Sequence, residues 1–310
     1  MIFTVTLNPA LDKTVVIENL RVGCVNRINT IRLDAGGKGI NVSKCLEVLG
    51  LRSTAAALLG GTAGEQFLAL LARTRIDPLV VKIPGETRTN LKVIDPVLHQ
   101  NTDINEPGPE VTADILLELR NQIAAKICPG DIVILSGSLP KGAAVTTYRD
   151  WTAFFRSLGA LVYLDADGEA LKQGVDAVPY LAKPNNEELS RLAGAPLNRQ
   201  DELITAGQQL LQKGIHTVVI SLGAEGALFL TGKGTYKAHS LNVPVRSTVG
   251  AGDSMVAALA YGMEKKLDEI SQLKLAIAIS AASVMCDGTQ APEAGAIEEL
   301  YHKVIIEEVF

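Results

Sequence analysis

An α/β fold with a mostly parallel central sheet between helical layers is what this sequence predicts, and three observations carry the prediction. Short apolar runs alternate with amphipathic helical stretches from about residue 36 onward, the pattern of strands buried on both faces and joined by helices. The composition agrees: 47% of the residues are hydrophobic, with 28 glycines and one Trp, which suits close packing of helices on a sheet by Ala, Leu and Val. Two segments, about 13–34 and 87–106, break the rhythm by alternating in polarity, and a period of two reads as half-exposed antiparallel strand.

Taken in order, the parallel strands are expected at Ile2–Leu7, Ser53–Leu58, Asp131–Leu135, Leu161–Leu164 and Thr217–Ser221. Helical spacing marks Gly39–Leu49, Gly64–Arg73, Thr112–Ala125, Thr146–Phe155 and Asp201–Lys213, and the last third reads as three helices over 252–263, 269–286 and 294–308. The two alternating segments form a small β flap beside one domain of residues 1–310, the second of them turning near Pro96–His99.

A net charge of −5 without any block of Lys or Arg excludes a phosphate-backbone partner, because nucleic-acid binding needs clustered positive charge. The four cysteines, at 24, 45, 128 and 286, form no CxxC pair and read as reduced thiols of a cytoplasmic protein. No signal peptide precedes the strand-like IFTVTL, and no apolar run reaches the ~18 residues of a membrane span. Two nucleotide fingerprints are absent. GALFLTGKG has the wrong spacing for a P-loop, and GAGDSM ends in Met far from the first strand.

Four stretches could carry chemistry. In STVGAGDSMVAALA, 247–260, glycines lead straight into an alanine-rich helix, whose uncovered first N–H groups and dipole attract an anion. Asp253 there is either a cap or a functional carboxylate. In DAGGKGINVS, 34–43, a glycine turn places Lys38 and Asn41 at a helix opening, as an ordinary loop or as a phosphate or hydroxyl site. Asp12 in TLNPALD lies near the end of the first strand, where ligands of open parallel sheets bind, or is a turn residue after Pro9. In KPNNEEL, 183–189, Asn185 and Glu188 share a first turn and suit either a capping box or a hydrated Mg²⁺.

Together, AGGKGINVSKCLEVLG at 35–50 and STVGAGDSMVAALA at 247–260 resemble the paired signatures of the ribokinase-like (PfkB) sugar kinases. TLNPALD, GETRTN, SGSLPKG, KPNNEEL and VVISLGAEGAL follow in the order of that family's hexose-phosphate branch. The resemblance implies a ribokinase-like three-layer sandwich of about eight central strands, a flap closing over the sugar site, and a homodimer formed through the flap. It implies Asp253 as general base, with an anion hole from the backbone of Gly250, Ala251, Gly252 and Asp253. Asp12 would orient sugar hydroxyls, and Gly37, Lys38 and Asn41 would floor the site. Arg88, with Arg27, Asn90 and Ser138, would hold the substrate's existing phosphate, for which a guanidinium fork is suited. Lys183, Asn185 and Glu188 would lie near the phosphates of ATP and the waters of Mg²⁺. Ser221, Gly223 and Gly226 would cover the nucleotide, and Ser283 would line its base. DADGEAL at 165–171 stands where the branch often has DSSGEAL, and Cys24 where some relatives carry a basic residue.

The resemblance thus implies ATP-dependent phosphorylation of a ketohexose phosphate. Fructose 1-phosphate is the first expectation, tagatose 6-phosphate the second and fructose 6-phosphate the third. A non-catalytic sugar-phosphate sensor would be expected to lose Asp253 or its glycines, both of which are present. A nicotinamide enzyme would need the missing fingerprint.

Overall fold

The computed structural model describes residues 1–309. Seven strands form the parallel part of a large sheet: β1 (Ile2–Thr6), β4 (Thr54–Leu59), β5 (Asp77–Lys82), β8 (Ile132–Ser136), β9 (Leu161–Asp165), β10 (Leu181–Ala182) and β11 (Thr217–Ser221). Antiparallel β12 (Ala227–Thr231), β13 (Thr235–Ala238) and β14 (Ile306–Glu308) extend it to ten strands, in the order β14-β13-β12-β11-β10-β9-β8-β1-β4-β5. A second sheet of β2 (Ala10–Val16), β3 (Thr30–Gly36), β6 (Arg88–Asp95) and β7 (Gln100–Ile104) runs in the order β3-β2-β6-β7. Both irregular segments of the sequence therefore meet in one flap.

Helices cover both faces of the large sheet. On one face, α3 (Ala113–Ala124), α4 (Thr147–Ser157), α5 (Gly168–Val175), α6 (Asn186–Ala193) and α7 (Gln200–Gln212) pack on Val133, Leu135, Val162 and Val218. On the other, α1 (Lys38–Val48), α8 (Ala251–Glu264), α9 (Glu269–Val284) and α10 (Ala294–Tyr301) pack on Ile132, Ile134, Tyr163 and Val219. Adjacent residues of a single strand thus feed opposite cores, which is why these strands read as unbroken apolar runs. Helix α2 (Gly61–Leu71) closes a smaller core with Ala55, Ala57 and Leu59 of β4. Among the described residues, no helix is long and apolar enough to cross a membrane.

The sheet has ten strands where about eight were expected, and one of the additional strands comes from the chain end. The helix expected over 294–308 stops at Tyr301, and Ile306–Glu308 pairs with β13. Val304 and Ile305 continue the helical spacing of Ile297, Leu300 and Tyr301, but the β-branched run Val304-Ile305-Ile306 favours a strand. Strand β5 escaped the sequence reading because Pro78 weakens the signal, and it is tolerated at the sheet edge that β5 occupies.

Candidate active site

Every parallel strand ends on one side, and a cavity of about 580 Å³ opens there between the large sheet and the flap. Its floor is built by loops at the strand ends. After β1, Asn8 enters the cavity, and Asp12 follows on the flap strand β2. Gly36 makes room for that carboxylate, since a side chain there would collide with Asp12. Gly37, with φ +111°, turns the chain into α1 with Lys38 and Asn41 facing the cavity.

The N-terminus of α8 is the chemical centre. Gly250 adopts a left-handed conformation (φ 88°) and caps the helix without a side-chain hydrogen bond, a geometry suited to glycine. The N–H of Ser254 already bonds the carbonyl of Gly250 at 2.9 Å, whereas those of Gly252 and Asp253 have no partner among the described residues. Lys183 Nζ stands beside Gly252, where an added Cβ would approach it to 3.0 Å. The result is a cradle of N–H groups and one ammonium, open to an anion.

Asp253 is 5% exposed, and its Oδ2 accepts a 2.8 Å hydrogen bond from Asn41 Nδ2. Burial, reinforced by the neighbouring charge of Asp165, raises its carboxyl to about 6 against the pull of Lys38, Asn41 and Lys183. A helix N-terminus favours an ionised carboxylate, yet burial raises this one. Asp165, at the end of β9, is 1% exposed and shares Oδ1 between Lys38 Nζ at 3.1 Å and Lys183 Nζ at 3.3 Å. Burial opposes its charge, yet Lys183 and Lys38 together hold its carboxyl below the ordinary range. Asp165 in turn is the main reason that Lys38 is raised.

The flap supplies the roof. Asn90 Nδ2 donates to Asp12 Oδ1 at 3.1 Å, and Thr289 Oγ1 to Asp12 Oδ2 at 3.4 Å. Burial raises the Asp12 carboxyl despite these bonds. Arg88 reaches in from β6 while its guanidinium donates to the carbonyls of Asn8, Pro9 and Glu106 at 2.9, 3.4 and 3.2 Å. Ser138 lies close by, bonded to Asn8 Nδ2 at 3.3 Å.

Asp12, Gly37, Lys38, Asn41, Arg88, Asn90, Ser138, Lys183, Asn185, Ser221, Gly250, Gly252 and Asp253 thus share one cavity; Ala251 lies in the backbone between its two glycines. Other expected residues lie elsewhere in this chain. Arg27 is exposed in the loop beyond Val16 and Thr30, at the far tip of the β2–β3 hairpin. Glu188 takes the Asn185 N–H at 2.8 Å while Asn185 Oδ1 takes that of Glu188 at 2.8 Å, a complete capping box. Gly223 begins a short 3₁₀ turn that ends at Gly226. Ser283 is buried between α9 and α8, its hydroxyl bonded to that of Ser254.

Several cavity residues were not named as site residues, among them Asn8 (within TLNPALD), Asp165 (the first residue of DADGEAL), Lys92 and Thr289. A signal existed for Asp165, a carboxylate at the carboxyl end of a parallel strand. The period-two alternation of the flap puts Lys92 on the same face as Arg88 and Asn90.

Among the described residues, five buried side-chain polar atoms without a partner belong to residues that line this cavity: Thr6 Oγ1, Asn8 Oδ1, Asn41 Oδ1, Asn90 Oδ1 and Asp165 Oδ2. Such atoms are rare in folded proteins and call for a partner. Four of the five can only accept, so they suit a ligand rich in hydroxyl donors or a cation.

Comparison with known proteins agrees with this geometry. Residues 6–294 match the model of the pfkB family carbohydrate kinases. The chain is 35% identical to a 1-phosphofructokinase of Haemophilus influenzae over 98% of its own length and 97% of that protein's. It is 39% identical to a 1-phosphofructokinase of Xanthomonas campestris over 91% of this chain and 89% of that one. Its structure matches that of phosphofructokinase-2 from Escherichia coli in complex with potassium, with a TM-score of 0.93 and 29% identity, covering 97% of this chain and 98% of the other. With the family model spanning nearly its whole length and its glycine-led helix facing a hydroxyl-seeking cavity, this chain belongs to the pfkB family of carbohydrate kinases.

Proposed function

We propose that this kinase transfers the γ-phosphoryl group of ATP to the free primary hydroxyl of fructose 1-phosphate, giving fructose 1,6-bisphosphate. One observation carries the reading: unpartnered N–H groups for an anion and unpartnered acceptors for hydroxyls lie on one cavity around a buried carboxylate. Asp253, with its carboxyl at about 6, is ionised at neutral pH yet close enough to it to accept the hydroxyl proton. The acceptor oxygen then bonds to phosphorus as the bond to the departing ADP breaks. The N–H groups of Gly252 and Asp253, with Lys183 beside them, hold the charge that gathers on the phosphoryl oxygens. Asp12, Asn90 and Asn41 orient the sugar hydroxyls, while Arg88, assisted by Ser138, receives the phosphate already present. Ser221, Gly223 and Gly226 would flank the nucleotide, and Ser283 supports α8 behind it.

Four cationic side chains (Lys38, Arg88, Lys92, Lys183) and five acidic ones (Asp12, Asp103, Asp165, Asp167, Asp253) line the cavity. Two phosphorylated substrates therefore need more positive charge than the chain supplies. The unpartnered Oδ2 of Asp165 fits a hard cation, as does Glu188 reached through water. No group of three or more His, Cys, Asp or Glu side chains is placed to cage a metal among the described residues. That suits Mg²⁺, which would keep waters and phosphate oxygens as ligands and neutralise the phosphates when bound.

We also propose that the flap's outer face pairs with a second copy of this chain. Val25 and Ile28 of its loop and Ile31, Leu33 and Ile104 of its strands are exposed on it by 38–88%, more apolar surface than a lone flap should show water. Sedimentation of the wild type and of Ile31→Glu would decide the point; a wild-type monomer would end it.

The test of the reaction is ADP release with Mg²⁺·ATP and, in parallel, fructose 1-phosphate, tagatose 6-phosphate and fructose 6-phosphate. The highest kcat/KM is expected for fructose 1-phosphate. A preference for either other sugar would replace the substrate and leave the mechanism, whereas no turnover with any of them would refute the transfer reading.

A further inference from the structure

Lys92 has no role in the reaction as described, yet its place is specific. On β6 it follows Arg88 and Asn90 at intervals of two, so all three point into the cavity. Across the sheet it sits opposite Thr14 on β2 and Asp103 on β7. Arg88 and Lys92 are four residues apart, roughly 13 Å along an extended strand, so the flap presents one cation at each end of the site. The two ends differ in surroundings. Arg88 lies against Asn8, Pro9 and Glu106, whereas Lys92 Nζ is 3.3 Å from Ser247 Oγ. Ser247 begins the segment that runs through Val249 and Gly250 into α8, and Val249 and Gly250 line the cavity with Lys92.

The other cations of the cavity are held by closer partners within the chain. Lys38 and Lys183 share the single carboxylate of Asp165, and Arg88 donates to three carbonyls. Among the described residues, Lys92 is held only by Ser247 and by Asp103 Oδ1 at 3.6 Å, a carboxylate whose side chain is 45% exposed. A phosphate can displace so loose and wet a partner.

We propose that Lys92 is a catalytic residue carried by the flap, whose ammonium leaves Asp103 to bind a nonbridging oxygen of the phosphoryl group in transit from the roof side, while the N–H groups of Gly252 and Asp253 hold it from the floor. The inference rests on the transfer reading above. No bond to Lys92 forms or breaks: phosphorus passes from the nucleotide's bridging oxygen to the acceptor oxygen, the acceptor proton passes to Asp253, and Lys92 offsets charge. Because the ammonium is mounted on the flap, full stabilisation exists only when the flap is seated. Transfer to the sugar is thereby favoured over transfer to water.

The experiment compares wild type, Lys92→Met and Lys92→Arg in turnover and in binding of Mg²⁺·ADP, alone and with fluoroaluminate as a mimic of the phosphoryl group in flight. Removing one such donor should lower kcat by about 100-fold, with Lys92→Arg recovering part of the loss. Affinity for Mg²⁺·ADP alone should stay within about threefold, while the fluoroaluminate complex weakens by at least about tenfold. Asp103→Asn, which frees Lys92 without altering it, should tighten that complex. Equal fluoroaluminate binding by wild type and Lys92→Met would overturn the proposal. So would a rise in sugar-phosphate KM at unchanged kcat, which would assign Lys92 to the acceptor's own phosphate. The fluoroaluminate arm needs no sugar, so it decides Lys92 even if all three ketohexose phosphates fail.

Discussion

The floor of the cavity and the flap above it present many of the same polar residue types in opposite physical settings. On the floor, Asp165, Asp253 and Lys183 are at most 5% exposed, and the elements bearing them pack into the two large cores. The flap has a small apolar cluster of its own around Val15, Ile17 and Val93. It is tied across the cavity mouth by polar contacts: Arg32 Nη2 to the Asp287 carbonyl at 2.9 Å, Asn101 Nδ2 to that of Arg246 at 3.1 Å, and Thr289 Oγ1 to Asp12. Bonds of this kind are worth about 0.5–1.5 kcal/mol each. In the proposed reaction, the groups that must be fixed where charge develops sit in dense packing, and those that would admit and then enclose a substrate hang on weak, replaceable ties.

The largest effects should come from the floor. Asp253→Asn should lower kcat by at least about 1,000-fold while sugar-phosphate binding persists; a variant keeping more than about a tenth of wild-type turnover would remove Asp253 from the role of base. With the carboxyl at about 6, kcat/KM should rise with pH through that value and level off above it. Stability carries the same signature with its sign fixed by the upward shift. Protonation favours the folded state, so the benefit is present at low pH and lost as pH rises through about 6. Asp253→Asn should therefore melt higher than wild type above pH 6 and gain nothing near pH 4.

Asp165→Asn attacks the floor differently. It leaves the buried ammonium of Lys183 and the partly exposed one of Lys38 without their carboxylate, which should destabilise the fold by about 3 kcal/mol, read as a lower Tm. It also removes a negative neighbour that raises Asp253, so the acid limb of the kcat/KM profile should move to lower pH. A limb that stayed in place would show that burial alone sets the basicity of Asp253.

The flap should respond in binding more than in chemistry. Arg88→Ala removes a charge-assisted fork, a loss of about 2–3 kcal/mol, so KM for the sugar phosphate should rise by roughly 100-fold with a smaller change in kcat. A change confined to the KM of ATP would move Arg88 to the nucleotide side.

The two regions were also unequally legible in the sequence. The glycine-led helices at Gly37 and Gly250 announce themselves locally, because a left-handed residue before an amphipathic run has few other uses. The flap's strands were visible as period-two alternation, and so was the turn at Pro96–His99. Asp165 opens the DADGEAL stretch, yet nothing local marks it as the partner of two ammonium groups. Its meaning comes from Lys38 and Lys183, 127 and 18 positions away in the chain, and the parallel pairing of β1, β8, β9 and β10 brings them together. Glu188 shows the converse, since one short motif supports both a capping box and a position near a cation, and local spacing cannot separate them. The family resemblance paired Arg27 with Arg88, and the length of the β2–β3 hairpin carries it to the tip.

The smallest predicted effect sharpens the comparison most. Arg32 touches none of the proposed reacting groups. Its guanidinium bonds Asp34 at 2.7 Å and the carbonyl of Asp287 at 2.9 Å, joining β3 of the flap to the loop after α9. Arg32→Ala removes one tie and leaves the floor intact, so kcat at saturating substrate should change by less than about twofold. The KM for the sugar phosphate should rise by roughly threefold, the value of one weak hydrogen bond. A flap that opens more often should also admit water to the phosphoryl group, so ATP hydrolysis without sugar should rise by a similar factor. Amide exchange in β2, β3 and β6 should quicken while that of α8 does not. If exchange quickened in both regions together, floor and flap would be one cooperative unit, and the division of labour argued from their packing would fail.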